Sequence, residues 1–91
     1  MLTKQELKDI PNEGLVALLN EYVLIMCFNY FYCGKLVGVN ETFIKLENAH
    51  IVYDTGAFTA AKYTNAQKIA EEYYVQLSAI ESFGKTNSTK L

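Results

Sequence analysis

The chain has 91 residues and a formal net charge of −2, the length of one domain that buries only about 60–65% of the surface its unfolded form exposes. All eight basic residues are Lys, and so thin a cationic complement argues against strong nonspecific attachment to nucleic acid, which draws on counterions released by clustered basic side chains, while leaving room for a local lysine patch, repeated by symmetry, that holds a short single strand. Seven Tyr and five Phe with no Trp, in a chain about half apolar, favour a compact β-rich core with amphipathic rings at a surface or between subunits.

Met1 to Asp9 is polar and amphipathic rather than a basic stretch leading into an apolar one, so a signal peptide is not expected. Thr3 and Glu6 form a capping-box pattern, and Leu2, Leu7 and Ile10 share one side of a short helix that must stop or bend at Pro11. A second helical stretch is predicted from Asn12, a plausible N-cap, through Leu15, Val16, Leu18 and Leu19 to Asn20 and Glu21.

Beyond it the residues become β-branched and aromatic, which predicts three successive strands. The first is Tyr22–Phe28, and a tight turn is expected at Asn29-Tyr30. The second, Phe31–Asn40, contains Gly34 and Gly38, which weaken a strand unless it bends or another backbone comes close; they mark where a sheet curls into a barrel. In the third, Phe43–Tyr53, Ile44 and Leu46 alternate with Lys45 and Glu47 until Asn48 and His50 break the pattern. The apolar run from Val23 to Tyr32 is interrupted by Asn29 and falls short of the roughly 20 residues that a membrane span needs.

Asp54-Thr55-Gly56 is a stop signal. The Ala-rich segment 57–72 carries a second capping-box pattern at Thr64 and Gln67, predicting a short helix over Asn65–Glu72. Tyr73–Leu77 and Ala79–Phe83 read as two short strands hinged at Ser78. Gly84 closes the domain, and the polar tail Lys85–Leu91 is expected to fray.

Cys27 and Cys33 lie outside any Cys-x-x-Cys or Cys/His cluster, which predicts buried, reduced thiols in a reducing cytoplasm rather than a disulfide or metal site. The sequons at Asn40 and Asn87 are read as coincidences of composition. His50, the only histidine, lies within a strand, and no nucleophile with a base or convergent pair of carboxylates can be named. Neither catalysis nor a cofactor is expected.

An N-terminal helix followed by five bent strands is the order of the Sm-like (LSm and Hfq-like) family, and two segments sharpen the likeness. Gly34-Lys35-Leu36-Val37-Gly38-Val39-Asn40-Glu41-Thr42-Phe43-Ile44-Lys45-Leu46 resembles its first motif, and Leu77-Ser78-Ala79-Ile80-Glu81-Ser82 its second. The resemblance implies a mainly β fold, a strongly bent five-stranded open β-barrel with an N-terminal helix. Residues 1–84 would form the domain, 54–72 an insertion between the third and fourth strands, and 85–91 the tail. The all-lysine composition and the insertion look like those of a diverged, bacteriophage-type member. An SH3-like or OB-type barrel shares the same curled-sheet logic.

The resemblance further implies a closed ring of roughly five to seven copies, the fourth strand of one pairing with the fifth of the next. Tyr73, Tyr74, Val75 and Leu77 would line one side of that seam and Ile80 and Phe83 the other, unless they only fill the core. Family RNA sites lie in the loop after the second strand and at the last bend, which here offer Asn40, Glu41, Thr42 and Phe43, then Gln76, Leu77 and Ser78. Phe43 would stack on a base, Asn40 would hydrogen-bond to it, and Lys35 or Lys45 would stand near the backbone. The polar detail departs from the family: its Lys-His pair falls on Leu77 and Ser78, the alternative Arg-Gly is absent, and Glu41 sets negative charge beside any phosphate. Two roles therefore stand open, a ring that binds single-stranded RNA weakly and a structural or protein-interaction ring that has lost RNA binding. A membrane partner is not expected.

Overall fold

The computed structural model describes residues 13–91. The predicted helix over residues 1–11 lies outside the described residues. Of the second predicted helix, only a 3-10 turn at Val16–Leu18 forms. The residues that follow it are taken up by the sheet: Asn20 N donates to Leu36 O at 2.6 Å and Leu36 N to Glu21 O at 2.9 Å. Asn20 adopts a positive φ of 71° there, a conformation that Asn tolerates better than most residues.

Five antiparallel strands follow: β1 Tyr22–Cys27, β2 Phe31–Val39, β3 Phe43–Asp54, β4 Asn65–Gln76 and β5 Ile80–Lys85. They form one sheet in the order β4-β3-β2-β1-β5, so β4 and β5 are its two edges. Alternation sorts the side chains onto two faces. Val23, Ile25, Cys27, Leu36, Ile44, Leu46, Ala49 and Val75 make the main core, and Leu77 and Ile80 pack against it. Residues from both edges reach this one cluster, which requires the sheet to be rolled.

The roll is made at irregularities that the glycines and Asn48 permit. The β2–β3 register shifts between Cys33 and Lys35 and again between Leu36 and Gly38. At the first shift Gly34 opposes two residues, Asn48 and Ala49, and a Cβ on it would lie 2.9 Å from the Glu47 carbonyl oxygen. Asn48 takes a positive φ of 51°, so that Leu46 and Ala49, three apart, both point into the core. That is the physical content of the broken alternation in the third strand.

The Ala-rich segment differs from the sequence expectation. Residues 65–72 are not a helix but the first two-thirds of β4, paired with β3 from Asp54↔Asn65 to Glu47↔Glu72. A capping box and a few alanines favour a helix by only about 1 kcal/mol each. The twelve-residue β3 offers a continuous row of backbone partners, and these win. The excursion between β3 and β4 is therefore confined to residues 55–64.

The second face carries its own cluster of Leu24, Cys33, Val52 and Tyr63, with Met26, Phe31, Ala66 and Leu91 packed against it. The tail is not frayed. Tyr63 N donates to Lys90 O at 2.9 Å, the Tyr63 and Thr86 hydroxyls are 2.7 Å apart, and Asn87 Oδ1 accepts from Thr89 N to cap a 3-10 turn at Ser88–Lys90. The excursion and the tail thus clamp one another over this face.

Candidate nucleic-acid interface

The turn after β2 is built around Asn40. Its Oδ1 accepts from Thr42 N at 2.7 Å and Phe43 N at 2.8 Å, while its own N donates to Phe43 O at 3.0 Å. An Asn side chain replaces a backbone acceptor in this way because it is short and polar. The link between β4 and β5 is the 3-10 turn Leu77–Ala79, and Leu77 N donates to Thr42 O at 2.9 Å. Two turns far apart in sequence are joined into one surface.

Phe43 pairs with Gln76 across β3 and β4, and Lys45 with Tyr74; cross-strand partners share a face. Phe43, 37% exposed, meets the Tyr74 ring edge-on with centroids 5.2 Å apart. The Lys45 Nζ lies 5.9 Å from the Tyr74 centroid and 3.3 Å from Glu72 Oε1. Glu72 is the main reason that the Lys45 ammonium is held charged, with its pKa raised.

The structure therefore brings Asn40, Glu41, Thr42, Phe43, Gln76 and Ser78 together around the joined turns, with Lys45 two residues along. Lys35 stands apart, opposite Tyr22 and Glu47. The Asn40 oxygen is spent on its own turn, and Glu41 is exposed at the tip. Tyr74, expected from sequence at the subunit seam, lies beside Phe43, while Tyr73, its neighbour on the edge strand β4, points to the other face.

The remaining seam candidates divide. Val75 is buried in the core, and Leu77 and Ile80 pack against it. Tyr73 pairs with Leu46 and Phe83 with Ile25, so both lie on the core face. Yet they stand at its two open edges, 37% and 41% exposed. Beside the β4 edge lies a hollow of about 400 Å³ lined by Phe28, Tyr30, Tyr32, Tyr73, Tyr74 and Val75, among others; in it Tyr32 and Tyr73 pack with centroids 5.8 Å apart. Cys27 and Cys33 are buried and free, and among the described residues no group of His, Cys, Asp and Glu is placed to hold a metal.

A rolled, unclosed five-stranded sheet with β4 and β5 at its edges among the described residues, and with two turns joined at one end, has the arrangement of the Sm-like fold. The chain is similar to the Sm protein of Pyrococcus abyssii, solved in complex with a uridine heptamer: the two superpose with a TM-score of 0.61 at 14% identity, over 86% of this chain and all of that one. At that identity the likeness shows the fold. No protein-family model matches the sequence, and no curated protein matches it.

Proposed function

We propose that the protein assembles head to tail with copies of itself, β4 of one subunit against β5 of the next, into a closed ring of roughly five to seven subunits. At the joined turns this ring touches single-stranded RNA weakly. The observation that carries the reading is the pair of open edges with apolar side chains still exposed on their core face. Docking Phe83 of one copy toward the hollow beside Tyr73 of another would continue the core across the seam. Phe43 and Tyr74 supply stacking surface for a base, Gln76 an amide at its edge and Lys45 a nearby cation. The all-lysine composition supports a diverged, bacteriophage-type member, and the free buried thiols Cys27 and Cys33 support a reducing cytoplasm; the ring acts without catalysis in this reading.

A second reading, a protein-interaction ring without RNA, is favoured by the Asn40 oxygen being occupied, by Lys45 being neutralised by Glu72 and by the exposed Glu41. Native mass spectrometry, with titration of short oligouridine and oligoadenine at low and moderate salt, decides between them. A monomer at micromolar concentration overturns the assembly. Binding that Phe43→Ala weakens on the order of tenfold supports the turn site, and no binding even at low salt leaves the interaction ring.

A further inference from the structure

The second face of the sheet holds a cleft along β5, with Phe83 of the proposed seam among its lining, that the joined turns do not use. It has a volume of about 510 Å³, within the roughly 300–1,000 Å³ range of small-molecule sites. Leu24 and Met26 of β1 form an apolar floor, the excursion contributes Phe58 and Tyr63, and Lys85 and Lys90 stand at its margin. No Asp or Glu among the described residues lines it. Two of the chain's eight lysines stand on this one cleft, one of them paired with Glu21 outside its lining.

The state of these groups is informative. Phe58 is 62% exposed, a ring with one face uncovered beside an apolar floor. Lys90 Nζ donates to the Phe58 carbonyl and lies 5.7 Å from the Tyr63 centroid, which sets its charge in the wall; an ammonium has three donors, so this bond leaves capacity for a ligand. Lys85 is 3.5 Å from Glu21, an exposed pair of little net strength that an incoming anion can replace.

We propose that this cleft binds a nucleotide unit, its base laid on Leu24 and Met26 beside Phe58 and its phosphate facing Lys85 and Lys90. An aromatic ring accepts the π-face of any base, and two cations at one margin, one of which exchanges Glu21 for the ligand, suit a phosphate. An open trough favours a flat stacked group over a flexible acyl chain, which needs enclosure to be covered. The unit comes either as a free nucleotide or as one residue of a single strand. The site does not depend on the joined turns, since Phe43 lies on β3, toward the opposite edge of the sheet.

The test is a methyl NMR titration of the full-length protein, labelled at methionine, with UMP, AMP, uridine, inorganic phosphate and hexauridine. The expected result is a shift of the Met26 methyl by UMP or AMP at millimolar concentration or below, with uridine and phosphate alone each at least about tenfold weaker. Phe58→Ala should weaken UMP binding, read at the Met26 methyl, on the order of tenfold, and Lys85→Glu should do at least as much. Hexauridine binding tighter than UMP with the same variant pattern identifies a strand; equal or weaker binding identifies a free nucleotide. Because Phe58 and Lys85 are exposed, both variants retain the fold, checked by their remaining methyl spectra. A Met26 methyl that does not move, or affinities untouched by both variants, overturns the proposal.

Discussion

Gly34 of β2 stands opposite Asn48 of β3, and the two make a single bend: one strand gives up its side chain where the other turns into the left-handed region. A methyl group on Gly34 would sit 2.9 Å from the Glu47 carbonyl oxygen and 3.2 Å from the Leu46 Cβ. Gly38, by contrast, leaves ordinary contact distance, with its nearest neighbour, the Lys45 Cβ, at 3.5 Å.

Gly34→Ala should therefore destabilise the fold by about 1–3 kcal/mol through overpacking against backbone, whereas Gly38→Ala should fall within about 0.5 kcal/mol of the parent. Urea unfolding of the two variants side by side measures the difference. Equal losses would show that the bend does not reside at Gly34.

The clamp between excursion and tail hangs on the Tyr63 hydroxyl and its 2.7 Å contact with Thr86. Tyr63→Phe keeps the ring against Leu24, Cys33 and Val52 and removes the hydroxyl with its bonds to Thr86 and Cys33, at an expected cost of about 1–2 kcal/mol. Truncation to Ala empties the cluster and should cost about 3–5 kcal/mol. Hydrogen exchange at the Tyr63 and Lys90 amides should accelerate in both variants, since opening the clamp exposes them together.

Burial pushes the Cys33 thiol up from 9.0 to about 11, with the Tyr63 hydrogen bond opposing the shift. The unfolded chain releases this proton first, so the stabilisation is complete below pH 9 and is lost as pH rises through 11. Its size is of the order of 2–3 kcal/mol. Stability measured across that window should fall less steeply in Cys33→Ala than in the parent. At pH 8 neither Cys33 nor Cys27, whose thiol burial also pushes up, should be alkylated before unfolding.

Phe83 reaches the open edge of the core face, and Phe83→Glu would place a charge in any seam formed there. Sedimentation should find the variant as a monomer with its β-sheet circular dichroism retained, while Phe58→Ala keeps the parent mass. An unchanged assembly in Phe83→Glu would exclude the β5 edge as the contact.

Asn40 separates a turn role from a ligand role. Asn40→Ala leaves the amides of Thr42 and Phe43 without their acceptor and should cost about 1 kcal/mol. Asn40→Asp restores the acceptor and therefore the stability, but adds negative charge beside Glu41. RNA affinity lost in the aspartate variant with its melting temperature intact would locate the ligand at this turn.

Much of the sheet could be read from local residues. The strands β1, β2 and β3 start where the β-branched and aromatic runs start, and Asn48 marks the break in alternation at the very place where it adopts a positive φ. Such features are written in two to four neighbouring positions, because a pleat or a bulge is decided by the side chains it carries. The joined turns were likewise legible through the resemblance, Lys35 excepted: its distance from them follows from register, which no single strand contains.

Residue order by itself determined the apolar faces of the first three strands, the turn at Asn40 and the need for a bend at Gly34. Tertiary structure decided that 65–72 is an edge strand, that Tyr74 belongs with Phe43, and that a polar tail is held by Tyr63 and Lys90. The physical reason is the same in each case. Local preferences there are worth about 1 kcal/mol or less, and a long partner strand or a distant hydroxyl outweighs them only once the chain has folded.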